Sequence, residues 1–198
     1  MRMVTTATAA ALILALAACS NDDSGNALST EANLAEDSAV NDVLGADQTG
    51  NVAAAMPTGA AGFANAVAAA DLYEIESAKI AAAKATSAEV KEFAEHVRAD
   101  HEKSTADLKA AAARADPPVT VTPALDAEKQ AMLDQLRAAS GKDFDRRFID
   151  QQTNAHQKAL LLLQNYAGGG DSQPLKDFAS NSVKVVQGHL DHLNGIRQ

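Results

Sequence analysis

The chain has a single cysteine, no tryptophan, and only two tyrosines and five phenylalanines. With so few rings, any core must be built largely from Ala, Leu and Val. The lone Cys19 excludes an internal disulfide, a thiolate metal cluster and a cysteine nucleophile in whatever folds downstream. No Gly-x-Ser-x-Gly elbow is present, so serine-hydrolase chemistry has no support. Basic patches interleaved with aromatics are also missing, and the net charge is -9, the wrong sign for a nucleic-acid partner. The first apolar run, Ala9 to Ala18, is too short to span a bilayer.

That short run reads instead as the apolar part of an export signal, with Arg2 before it. It ends in Leu16-Ala17-Ala18-Cys19, and the next residues, Ser20-Asn21-Asp22-Asp23, are abruptly polar. The run resembles a bacterial lipobox, which implies cleavage before Cys19 and lipidation of that cysteine. The expectation is a signal peptide over residues 1–18 and attachment to a membrane through acyl chains. Ser20 directly after the cysteine resembles the signal for forwarding to the outer membrane, facing the periplasm.

Between Ser20 and Thr58 stand seven acids, Asp22, Asp23, Glu31, Glu36, Asp37, Asp42 and Asp47, and no base. This segment has no aromatic residue and little to bury, so residues 19–59 are expected to be a solvated acidic tether. From Gly59 onward acids and bases nearly balance, and Ala, Leu, Lys, Glu and Gln dominate. Val119-Thr120-Val121-Thr122 is the main β-branched run there. The folded part, residues 60–198, is therefore expected to be all-α.

Breakers divide it. A first helix is expected from near Gly62 to Ala85, followed at once by a capping box with Thr86 as N-cap and Glu89 at N3. The second helix carries Val90, Phe93, Val97, Leu108 and Ala112 on one stripe and stops at Asp116-Pro117-Pro118. A short helix from about Asp126 carries Leu133 and Leu136 up to Ser140-Gly141. The next long helix carries Phe144, Phe148, Gln152, Leu163 and Tyr166 up to Gly168-Gly169-Gly170. Ser172 and Pro174 open the last helix, with Leu175, Phe178, Val185, Val186 and Leu193 expected inward. Two long helices in a tight hairpin, a long connection with a short helix, and two more long helices describe a four-helix bundle with a crossover.

Polar residues on apolar stripes are the informative exceptions. His101 lies four after Val97, His156 lies seven before Leu163, and His189 lies four before Leu193, so each falls on a core seam. At similar helical depth, the three imidazoles are expected in one layer. Glu74 is expected only at the edge of that layer, because Leu72 and Ile75 pull the first helix's stripe sideways. Asp100, Asp145, Gln152 and Ser182 are available partners, with Asp145 on the face of His156. His96 is expected to face water, and His192 either pairs with His189 across one turn (i, i+3) or is solvated near the C-terminus.

Two readings follow. The preferred one is a structural polar layer in a non-catalytic, lipid-anchored envelope protein serving stress response or maintenance. The alternative is a site for copper, zinc or nickel, binding or oxidising the ion through Glu74, His101, His156 and His189. Asp100, Asp145 and Gln152 would then be the supporting layer.

Leu72-Tyr73-Glu74-Ile75-Glu76, Val90-Lys91-Glu92-Phe93-Ala94 leading to Asp100-His101, Gly141-Lys142-Asp143-Phe144-Asp145 with Phe148 and His156, and Phe178-Ala179 followed by His189 resemble one family. It is the domain-of-unknown-function family four-one-four-two, bacterial proteins described as predicted outer membrane proteins. The resemblance covers about Gly62 to Asn194 and implies a ferritin-like bundle in the envelope, with no established activity. Phe148 stands where that family commonly has Tyr, so a phenol is absent there. A ferritin-type di-iron centre wants Glu-x-x-His on two helices. Arg98, Thr153 and Val186 stand three residues before the histidines, so that centre is disfavoured.

Overall fold

Proline, glycine and short polar side chains set the helix ends. The computed structural model describes residues 56–197. Its helices are α1 (Ala60–Lys84), α2 (Ala88–Ala113), α3 (Ala127–Ala138), α4 (Gly141–Gly169) and α5 (Gln173–Ile196), and no strand occurs among the described residues. The signal segment, Cys19 and nearly all of the expected tether lie outside the described residues. Among those described, no helix is long and apolar enough to cross a membrane.

Two helix starts differ in detail from the sequence expectation. The N-cap of α2 is Ser87, whose hydroxyl accepts from the Val90 amide at 3.4 Å, one residue later than the capping-box pattern places it. Thr86 is engaged elsewhere: its hydroxyl and its amide, with the Ser87 amide, all donate to the Asp145 carboxylate of α4. Ser172 does occupy the N-cap of α5, but its hydroxyl makes no cap bond and is buried without a partner. Asp126 caps α3 by accepting from the Lys129 amide at 2.8 Å. Gly141 opens α4 at φ +59°, a conformation that a side chain would strain, two residues after Ala139, the C-cap of α3.

Helices α1 and α2 form one hairpin, α4 and α5 the other; α2 packs on α5 and α1 on α4. The Asp145 bonds bring the α1–α2 turn to the start of α4, so α2 and α4 run parallel. The connection between them, which contains α3, therefore crosses the length of the bundle. Helix α3 lies over α1 and α4, burying Leu133 and Leu136. Gln151 fastens it by donating to the Met132 carbonyl and to Gln135, while accepting from the Tyr73 hydroxyl at 3.0 Å. This is the all-α four-helix bundle with a crossover that the breakers describe.

The core comes in two apolar blocks. One gathers Phe63, Val67, Leu108, Leu163, Tyr166, Leu175 and Phe178, with the Phe63 and Tyr166 rings stacked at 3.8 Å. The other gathers Ala81, Val90, Phe93, Val97, Phe144, Phe148 and Leu193. Of the two valines expected inward on α5, Val186 is buried and Val185 is 46 % exposed, because the buried arc of α5 through Phe178, Val186, His189 and Leu193 passes Val185 by. Between the blocks every long helix contributes buried polar groups: Asp71, Glu74 and Ser77 from α1, His101 from α2, Gln152 and His156 from α4, His189 from α5.

Candidate metal centre

A buried polar group must find a partner or destabilise the fold. The three histidines satisfy that demand at one ring nitrogen each. His101 donates from Nδ1 to Asp71 Oδ1 at 2.7 Å, and Thr105 holds the other Asp71 oxygen at 3.2 Å. His156 donates from Nδ1 to the carbonyl of Gln152, one turn back on its own helix, at 2.8 Å. His189 donates from Nε2 to Asp100 Oδ2 at 2.9 Å. In the neutral form of each ring these oxygen acceptors fix the tautomer, with the lone pair on the second nitrogen.

Two of those second nitrogens meet, and the third ring packs against both. His156 Nε2 lies 3.0 Å from His189 Nδ1, and His101 Nε2 is buried without any hydrogen-bond partner. The three rings pack with centroids 5.1–5.7 Å apart, and their ligand atoms all lie within 4.8 Å of one another. Lone pairs facing each other repel unless a cation, a proton or a metal ion, stands between them.

The surrounding charges favour that cation. Burial pushes the His101 imidazole down, but the hydrogen bond to Asp71 and the carboxylates of Glu74, Asp71 and Asp100 more than reverse this, so its affinity for a proton is raised. Burial, then His101 and His189, drive His156 down to about 3. His189 is lowered as well, by burial and His101, with Asp100 opposing. Glu74 is pushed up to about 7, mainly by burial, with His101 opposing.

The expected site residues sort into three groups. His101, His156 and His189 come together in one buried cluster. Asp100 and Gln152 support it, Gln152 through its backbone carbonyl and through an amide that donates to Ser77 at 3.1 Å. Glu74 differs from its expected place at the stripe's edge: it is only 3 % exposed, because α1 packs against α2, α3 and α4 and its buried arc is wide. Its carboxylate reaches the back of His156, with Oε1 3.8 Å from Nδ1, and it is absent from the convergent ligand group. Asp145 stands apart from the layer, because the amides of the α1–α2 turn take its carboxylate. Ser182 likewise bonds only to its own helix, at the Phe178 carbonyl.

Asp71, which holds His101 through Nδ1, is a residue of this cluster not expected from the sequence. The signal was present, since Asp71 lies four residues after Val67 and three before Glu74 on the buried stripe of α1. His96 is 58 % exposed at its side chain and pairs with Asp100 at 3.2 Å. His192 is exposed, with its ring edge against Phe93 at 5.2 Å.

Solved structures with the same fold include CopM in the Cu(II)-bound form, at 20% identity and a TM-score of 0.58, covering 69% of this chain and 94% of that one. CopM in the Cu(I)-bound form matches at 22% identity and 0.57, covering 69% and 93%. A DUF305 fragment from Deinococcus radiodurans matches at 14% identity and 0.60, again covering 69% and 93%. A search of curated proteins gave no match. The family model described as Domain of unknown function (DUF4142) matches residues 45–196, and the chain belongs to that family.

Proposed function

We propose that the bundle binds a single transition-metal ion through His101 Nε2, His156 Nε2 and His189 Nδ1, and that it does so at the cell envelope. The observation that carries this is a buried cluster of three histidines, each with a ligand nitrogen within 4.8 Å of the other two and each tied through one ring nitrogen to an oxygen. That is the second-shell pattern of metal-ligating histidines, in which a carboxylate or carbonyl fixes the tautomer and raises ligand basicity. An all-imidazole set suits copper, zinc or nickel. Ligands at roughly 2.0–2.1 Å from one ion lie no more than roughly 4.2 Å apart, so small ring rotations suffice to close the set. The likeness to CopM, of which copper- and silver-bound forms are known, supports the same reading.

Binding rather than oxidation fits the layer. It supplies no carboxylate that bridges two ions, and apolar blocks close it above and below. Neutral imidazoles with the charges of Asp71 and Asp100 behind them compensate a cation buried there. The role is then capture or buffering of a metal ion by a protein held at the membrane through Cys19, which the Leu16-Ala17-Ala18-Cys19 run supports.

Thermal melting of chelator-stripped protein tests this reading. Added copper or zinc should raise the melting temperature in step with ln(1 + [L]/Kd). A melting curve unmoved by either ion would leave the histidines as architecture alone.

A further inference from the structure

His189 faces two ways. Its Nδ1 looks inward to His156, and its Nε2 looks outward to Asp100 Oδ2 at 2.9 Å. The same Asp100 oxygen lies 3.2 Å from Nε2 of the exposed His96. His96, Asp100 and His189 thus make a second group whose ligand atoms lie within 4.8 Å of one another, and its burial runs from exposed through half-buried to buried. The His96 ring stands edge-on to His189, with centroids 5.5 Å apart. Next to Asp100, a cavity of about 370 Å³ lies between α2 and α5; its lining includes Asp100, His101, Ser104, Phe178, Ser182 and Val186.

We infer that His96 and Asp100 form a loading site, at which a transition ion is captured before it passes His189 to the inner nitrogens. This rests on the reading of the inner histidines as a metal centre. Apolar blocks seal that centre along the bundle axis, so an ion must arrive from the side. A hydrated ion cannot shed all its water at once without a large penalty. Exchanging ligands one at a time avoids this, because each water is replaced by nitrogen or oxygen before the next is lost.

Asp100 is placed for that exchange, since it touches both His96 and His189. When its carboxylate turns to the ion, its hydrogen bond to His189 breaks. The His189 ring is then free to turn and offer its unprotonated nitrogen to the ion. No proton leaves the ring and no redox step is involved. Once the ion has moved inward, Asp100 returns to His189 Nε2 and fixes the tautomer that binds.

A route residue speeds uptake and release alike and leaves the equilibrium at the inner centre where it was. Stopped-flow exchange of Zn(II) between a chromogenic chelator and the purified protein measures both rates. His96→Ala should slow uptake and release by the same factor, about tenfold or more, given what charged, ligand-lined mouths contribute to on-rates. Wild-type uptake with an unchanged rate in His96→Ala overturns the route and leaves the inner centre standing. Slower uptake with unaltered release also overturns it, because His96 would then hold the bound ion itself. Wild-type protein that takes up no zinc overturns both the route and the centre.

Discussion

His156 Nε2 stands 3.0 Å from His189 Nδ1, and in their neutral forms neither nitrogen has a proton to give. His156 donates its N–H to the Gln152 carbonyl, and His189 donates its N–H to Asp100. The pair is therefore a contact between two acceptors, held together by the packing of α4 on α5. A cation between two such acceptors satisfies both, and His156 itself is a poor place for a proton because burial drives it down to about 3.

Asp71 orients His101, so its effect on metal should be large although it does not touch the ion. Asp71→Asn should weaken metal binding by about 10- to 100-fold, as losses of second-shell carboxylates do. Competition against a chelator of known affinity measures this. Equal affinity in the variant would mean that His101 is not a ligand.

Two buried groups give the metal-free protein opposing pH dependences. Glu74, raised from 4.5 to about 7, holds its proton in the fold more tightly than in the unfolded chain. Its contribution is full below pH 4.5 and is lost as pH rises through about 7. His156, lowered from 6.5 to about 3, contributes above pH 6.5, and that contribution is lost as pH falls through about 3. Glu74→Gln should remove much of the loss of stability between about pH 5 and about pH 8. Urea unfolding at both pH values checks it, and a variant that loses as much stability as wild type contradicts it.

Asp145 bears on the fold and not on the metal. Asp145→Ala strips the acceptor from the Thr86 and Ser87 amides and should destabilise the bundle by about 1–3 kcal/mol. Metal affinity at a temperature where the variant stays folded should be unchanged. A large loss of affinity there would place Asp145 in the site.

Membrane attachment depends on Cys19 in this account. Cys19→Ser should move the protein from the membrane pellet to the soluble fraction on cell fractionation. Persistence in the pellet to the same extent would remove the lipid anchor.

The fold was legible because its punctuation is local. Pro117-Pro118, Ser140-Gly141 and the Gly168-Gly170 run end helices through the backbone restrictions of single residues. The histidine seams were legible too, since a helix repeats and Val97, Leu163 and Leu193 locate its buried face. What escaped the sequence is decided at a distance. Asp145 and Thr86 are 59 residues apart, so nothing local announces that Asp145 is drawn to the α1–α2 turn or that Ser87 becomes the cap. Glu74 is buried because α1 packs against three neighbours, and a single stripe does not show that. Asp71 was visible on its stripe, but an Asp with a raised probability of facing solvent reads as surface until His101 is seen beside it.

Calorimetric titration of chelator-stripped protein with copper and zinc, repeated on His101→Ala, tests the central claim most directly. One equivalent should bind per chain, with the binding lost in His101→Ala although that variant remains helical. Heat no greater than the dilution background in the wild type, or unchanged binding in His101→Ala, would contradict it.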